Sequence, residues 1–451
     1  MSDIAKILPE LVSGRGTAGD AGGGGAAALR AGSAVAAPPP SFGGSPSPSE
    51  LGEDLRADFP GLITADGRPW HYLDTAATAQ KPRQVIDATL RAMGADYATV
   101  HRGVYARSAD MTLAYEAARR RVARFVNAPS SDEIVFVRGA TEGINLVTQS
   151  WGGTHLRPGD RILLSQLEHH SNIVPWQLIA ERTGAKIDIV PLTADGRIDL
   201  DAMAAMIGPA HRIVALAHVS NVLGSVLDVA RAAEIAHGAG ALLLVDGCQA
   251  APRMAVDVAA LGCDFYLFSG HKIYGPTGIG ILWARAGILA AMPPYHGGGA
   301  MIDKVTFERT SYAPPPARFE AGTPAIVETI GLAAALDYVD AIGLTRIAAH
   351  EEALVRHTRE ALGQINSVRL LGPEDSAGIV SFVMDGVHPH DIGTILDGSD
   401  VAIRAGHHCA QPLMTHLGVE ATARVSFGLY NGESDIEALL KGLDRVRAIF
   451  G

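Results

Sequence analysis

The chain has 451 residues, 47% of them apolar and 6% aromatic, with a formal net charge of −11. That length suggests two folded domains, or one large α/β domain with an appendage. An acidic surface without a polybasic run argues against binding a phosphate backbone, and no stretch reaches the roughly 18 continuous apolar residues of a membrane span, so small molecules and proteins are the expected partners, not nucleic acid or membrane.

Residues 1–57 read as a disordered extension, because residues 11–50 are dominated by Gly, Ala, Ser and Pro and cannot bury enough surface to offset their ordering entropy. At its start, "DIAKILPELV" (3–12) sets Ile4, Ile7, Leu8, Leu11 and Val12 at helix-like spacing, interrupted by Pro9. It reads either as a frayed terminus or as a short apolar docking peptide on a tether. The Ala-rich run "AAALRAGSAVAA" is broken by Arg30, Gly32 and Ser33, so a signal peptide is not expected. The cysteines, Cys248, Cys263 and Cys409, are odd in number and widely spaced. That argues against a disulfide framework and for a reducing cytoplasm.

From residue 58 short apolar runs alternate with amphipathic segments. The expected strands are 133–137, 161–165, 186–192, 212–220, 241–246, 264–269 and 278–284, with helix patterns at 142–151, 174–183 and 228–239. This alternation predicts a mostly parallel sheet covered by helices on both faces, over 58–330. A long helix pattern (331–363), strands at 378–384 and 401–405 and a closing helix from Ser434 predict a smaller α/β domain over 331–451. "GPTGIG" (275–280) precedes a strand, so it fails the context test for a phosphate-binding loop.

Ligands of open α/β sheets bind outside the carboxyl ends of strands. Several predicted strands end in polar groups: Asp246 and Gln249; Gly270, His271 and Lys272; Asn221; Glu168, His169 and His170; and "RGATE" (138–142). Taken singly, these are a helix cap, a solvated lysine and surface histidines. Together they fall on one sheet edge. A lysine amine forms Schiff bases, and an acid facing a pyridine nitrogen is the pattern expected for pyridoxal phosphate. Gly139–Thr141 opens a helix and offers amides and a hydroxyl to a phosphate, joined by Ser269 and His271.

The motifs "SGHKIYGPTGIG" (269–280), "DGCQA" (246–250), "EHHSNIVPW" (168–176), "HVSNVLG" (218–224), "RFEAGTP" (318–324) and "RAGHHCAQP" (404–412) together resemble the type II cysteine desulfurases of the Suf class. These are class V aminotransferase-like pyridoxal phosphate enzymes of fold type I. The resemblance covers residues 55–451. It implies that Lys272 holds the cofactor, Asp246 partners the pyridine nitrogen, Gln249 lies beside the ring hydroxyl, and His169 stacks on the ring and carries protons. It implies phosphate contacts from Thr141 with its neighbour Ala140, from Ser269 and His271, and from Thr323 of a second subunit in a homodimer, with residues 295–302 near that partner. Asn221 and Arg424 match substrate-holding residues, Arg404 an arginine near the site loop, and Cys409 the sulfur-accepting nucleophile.

The implied reaction converts L-cysteine to L-alanine. The persulfide left on Cys409 passes to an acceptor of SufE or SufU type for iron–sulfur cluster or sulfur-cofactor assembly. His407 and His408 are candidates for tuning the thiol or for packing. Cys248 stands where an alanine is common in the family and Ala140 where a second threonine is frequent; Cys248 and Cys263 read as structural. The tail and "VTFERTSYAPPPARFEAGTP" (305–324) also resemble a branch packaged inside encapsulin nanocompartments. A selenocysteine lyase or a cysteine sulfinate desulfinase would use the same residues. A zinc protein using His407, His408 and Cys409 is disfavoured, because adjacent ligands rarely converge on one tetrahedral metal.

Overall fold

The computed structural model describes residues 51–450; the 3–12 segment, with most of the expected extension, lies outside them. The folded chain begins earlier than residue 58. Leu51–Leu55 is a helix with Leu51 and Leu55 buried, each burial contributing about 2 kcal/mol. Arg56 then ties this start to Asp435 and to the carbonyl of Trp70. Composition drew the boundary too late because Leu51 and Leu55 adjoin the Pro/Ser-rich run.

After β1 (His71–Tyr72), the large sheet is built from β2 (Ile134–Val137), β3 (Arg161–Ser165), β4 (Lys186–Val190), β5 (His211–Ala217), β6 (Leu242–Asp246), β7 (Phe265–Ser269) and β8 (Gly280–Ala284). Their spatial order is β2-β8-β7-β6-β5-β3-β4. Only β8 runs against its neighbours; the other ladders are parallel. The carboxyl ends of six strands therefore face one way. Strands β2, β7 and β8 are buried along their whole length, as a sheet covered on both faces requires.

A hairpin, β9 (Ile302–Val305) with β10 (Thr310–Tyr312), leads to a long helical segment. The single helix pattern expected over 331–363 is two helices, Ile326–Ile342 and Leu344–Gly363. Gly343, at φ 93°, divides them by adopting a backbone region that glycine tolerates and other residues avoid. The second sheet follows, built from β11 (Val368–Leu371), β12 (Ile379–Met384), β14 (Arg404–Gly406) and β15 (Thr422–Ser426), with β13 (Val401–Ala402) outside it. Its four-stranded order is β11-β12-β15-β14, antiparallel throughout. The strand expected at 401–405 is thus two pieces, and β13 pairs with β1. Leu73 joins the apolar cluster of this second sheet, with Val380, Phe382 and Val425. Among the described residues, no helix is long and apolar enough to cross a membrane.

Candidate active site

A cavity of about 400 Å³ opens where the carboxyl ends of β5, β6 and β7 meet β14, β15 and the loop that follows β14. Ala140, Thr141, His169, Asn221, Asp246, Gln249, Ser269, His271, Lys272, Arg404, Cys409 and Arg424 all line it. Thr323 does not. It lines a separate cavity beside His101, Arg119 and Glu320.

The β7 end supplies two groups. Ser269 Oγ accepts the amide of Ala140 at 2.9 Å, which seats the hydroxyl at the start of the helix Ala140–Val147. A Cβ on Gly280 would come within 2.5 Å of the Gly139 Cα, so glycine permits this tight junction of strand and helix. His271 follows, its Nδ1 3.1 Å from Thr78 Oγ1. Burial and the neighbouring Lys272 push its imidazole down to about 4. At the β6 end, Asp246 Oδ1 accepts the amide of Cys248 at 3.0 Å.

His169 follows β3. Its Nδ1 accepts the Ser171 amide at 3.1 Å, so the neutral ring carries its proton on Nε2. Burial, then Lys272, hold it down at about 4, and it is neutral at neutral pH. Glu168, fully buried, receives hydrogen bonds from Ser165, Asn172 and the Ala217 amide. Burial pushes its carboxyl up to about 7.

The Cys409 turn is held from both sheets. His408 and Cys409 have φ of 53° and 56°, a left-handed pair that costs on the order of 1–3 kcal/mol per residue unless the surroundings fix it. The amide of His170 donates to the Cys409 carbonyl at 2.7 Å, and Asn221 Nδ2 to the His408 carbonyl at 2.7 Å. His170 Nε2 accepts the Gln411 amide at 3.0 Å, and His408 Nε2 lies 2.8 Å from Thr422 Oγ1. Burial pushes His408 down to about 3. It is therefore a neutral packing group, not a source of positive charge for the thiol. Among the described residues no group of three or more His, Cys, Asp and Glu side chains is placed to hold a metal ion. Cys409 is exposed; Cys248 and Cys263 are buried.

One functional segment escaped the sequence reading: residues 74–81, a strap between the two sheets. Asp74 binds Arg404 and Arg424. The Ala76 amide donates to Ser426 Oγ, and Gln249 Nε2 donates to the Ala76 carbonyl at 2.8 Å. The Ala79 amide and Lys81 Nζ both donate to the His271 carbonyl at 3.0 Å. Burial lowers the Lys81 amine to about 8. Arg253 Nη1 donates to Gln249 Oε1 at 2.8 Å, so the amide nitrogen of Gln249 is turned toward the strap and cavity.

An amine, a carboxylate, an amide and a neutral imidazole surround one end of this cavity, with hydroxyls at a helix start beside them. That donor set fits a pyridine ring bearing an aldehyde and a phosphate. The aminotransferase class-V family model matches residues 71–439. A cysteine desulfurase of Salmonella agona is 48% identical over 401 residues, covering 88% of this chain and 99% of the relative. The crystal structure of the cysteine desulfurase CsdA (S-sulfonic acid) from Escherichia coli superposes with a TM-score of 0.84 at 41% identity, covering 90% of this chain and 100% of that one. The apo cysteine desulfurase of Thermococcus onnurineus NA1 gives 0.83 at 38% identity, over 90% and 99%. The chain belongs to the class-V aminotransferase family, enzymes of fold type I built on pyridoxal phosphate. Within that family it is a cysteine desulfurase.

Proposed function

We propose that this enzyme takes L-cysteine and that Cys409 receives its sulfur, leaving L-alanine as the other product. The observation that carries this reading is the pinned left-handed turn of Cys409, an exposed thiol lining the same cavity as Lys272 and Arg424. When bound, the cofactor is the electron sink that weakens the substrate's Cβ–sulfur bond. Lys272, Asp246, Gln249 and His169 hold its ring, and Thr141, the Ala140 amide, Ser269 and His271 its phosphate. Lys272 Nζ moves the proton at the substrate Cα. Arg424, with Asn221 beside it, takes the substrate carboxylate, and Arg404 flanks them. His169 Nε2 hands a proton across the site. Cys409 attacks as the thiolate.

The organisation that goes with this reading is a large domain ending at residue 330, a small domain (331–451) that carries the Cys409 loop and against which the first folded residues pack, and a homodimer in which Thr323 reaches the partner's phosphate site. The persulfide then leaves to an acceptor protein of SufE or SufU type in the cytoplasm. The 3–12 segment docks the enzyme to an encapsulin shell; deletion of residues 1–50 with co-expression of the shell protein tests this, and unchanged loading sinks it. For the chemistry, Cys409→Ala is compared with wild type on L-cysteine and L-selenocysteine. Alanine release from cysteine should be lost in the variant while cleavage of selenocysteine survives. Desulfuration of cysteine that survives the substitution overturns the role of Cys409.

A further inference from the structure

His170 holds the Cys409 turn at two separate points. Its main-chain amide donates to the Cys409 carbonyl at 2.7 Å, and its ring Nε2 accepts the Gln411 amide at 3.0 Å. A main-chain N–H can only donate, so Nε2 is unprotonated and the neutral ring carries its proton on Nδ1. That is the opposite tautomer from His169, whose Nδ1 accepts the Ser171 amide. The adjacent histidines differ in task accordingly. His169 lines the cavity, while the His170 ring is bonded to the start of the helix Gln411–Leu417.

A proton gained by this ring replaces the acceptor with a second N–H donor. The bond to the Gln411 amide is then lost, and two donors oppose each other. His408 and Cys409 are left-handed, at φ 53° and 56°, so the turn depends on partners outside it. Burial, then His407 facing the ring from the loop, push the imidazole below its usual value. His169 stands on the same turn, ring centroids 6.3 Å apart, and the Cys409 carbonyl and exposed thiol lie on the loop opposite. Glu142, on the packed helix Ala140–Val147, is engaged by the Arg138 amide. Glu181 and Arg182 lie in the last turn of the helix Val174–Thr183, and His416 in that of Gln411–Leu417.

We infer that His170 is a positioning residue: it holds the Cys409 turn in place only while its ring is neutral. Protonation frees the turn locally and takes the thiol out of register with the cavity. The inference rests on the proposed role of Cys409 only for the effect on turnover; the hold on the backbone is independent of the reaction.

Hydrogen exchange of the holoenzyme, read by mass spectrometry on peptides spanning 404–412, follows the turn without turnover. Protection is corrected for the intrinsic pH dependence of exchange and compared at about pH 7.5 and about pH 5, which bracket the ordinary imidazole pKa. In wild type it should fall roughly three- to tenfold in acid, the scale of one hydrogen bond. His170→Ala should show the low level at both pH values. His170→Gln places an oxygen that takes no proton near the Nε2 position, and should stay protected at both. A fall that persists in His170→Gln, or full protection in His170→Ala, overturns the proposal. Should the glutamine variant misfold, wild-type protection that is equal at the two pH values overturns it alone. Unchanged alanine release in His170→Ala, with protection lost as expected, counts against the role of Cys409 alone.

Discussion

Asn221 and His408, 187 residues apart, are joined by a 2.7 Å hydrogen bond from the side-chain amide of one to the main-chain carbonyl of the other. Asn221 follows β5 of the large sheet, and His408 precedes the exposed thiol of Cys409 on the far side of the cavity. The bond fixes a backbone conformation that His408 and Cys409 would not keep by themselves. Asn221→Ala leaves a buried carbonyl unpaired and removes one of the two clamps. Such a loss is worth about 1–3 kcal/mol, so alanine release should fall roughly 10- to 100-fold while the visible absorbance of bound cofactor persists. Alkylation of Cys409 should become faster as the turn loosens. Slower turnover with unchanged thiol reactivity would place the role of Asn221 on the substrate instead.

The three cysteines should react very differently. Burial pushes the thiols of Cys248 and Cys263 up to about 12, and both are enclosed, so neither offers a thiolate to a reagent at neutral pH. Iodoacetamide on the native enzyme should label one site, Cys409, as read by mass spectrometry of peptides. Cys248→Ala should keep turnover within about twofold, because a buried thiol here packs as a small apolar group. A second labelled site, or a large loss of activity in that variant, contradicts this assignment.

Behind Gln249 stands a buried ion pair. Arg253 Nε lies 2.9 Å from Glu351 Oε2, both side chains 3% exposed, although the contact lacks hydrogen-bond alignment. Arg253 also donates to both oxygens of Gln249. Removing Arg253 takes away the cation that favours the Glu351 carboxylate against burial and the guanidinium's bonds to Gln249, at a cost of about 3–5 kcal/mol. Arg253→Met should therefore lower the thermal midpoint markedly and weaken retention of the cofactor on dialysis. The double variant Arg253→Met with Glu351→Leu should regain most of the stability but not the cofactor retention, because Gln249 stays untethered. Equal recovery of both would mean that Arg253 acts on stability alone.

Much of the site was legible because its reactive groups sit where β-strands end. Asp246, Ser269 and Asn221 follow apolar runs too regular to mistake, and a parallel sheet aligns the ends of such runs. The strap escaped notice for a physical reason. Ala76, Ala79 and the His271 carbonyl contribute main-chain groups, which no residue type announces. Asp74 meets Arg424 at a separation of 350 residues, and an aspartate after a two-residue strand looks like a turn. The break at Gly343 was missed because helical spacing of apolar residues continues on both sides of it. The two-piece strand at 401–406 was merged because β13 pairs with β1 and β14 with β15, a difference of partners and not of composition.

The response to acid follows from buried groups of opposite sense. His169, His218 and His271 are held down at about 4 and His408 at about 3, chiefly by burial. These rings stay neutral in the folded protein while the unfolded chain takes up protons below about 6.5. Their contribution to stability is present above that pH and is lost as pH falls from 6.5 toward 4. Glu168 and Glu351 act the other way. Burial raises both to about 7, so the folded protein keeps their protons, and their contribution is lost as pH rises from about 4.5 through 7. Near pH ~5.5 the four rings outweigh the two carboxyls, and unfolding should take up about two protons per chain. The thermal midpoint should accordingly fall as pH drops from neutral to about 5, and calorimetry in buffers of different ionisation enthalpy should register the uptake. Glu168→Gln removes one opposing group and should steepen the fall. Proton release on unfolding at that pH would show that the carboxyls govern the response instead of the histidines.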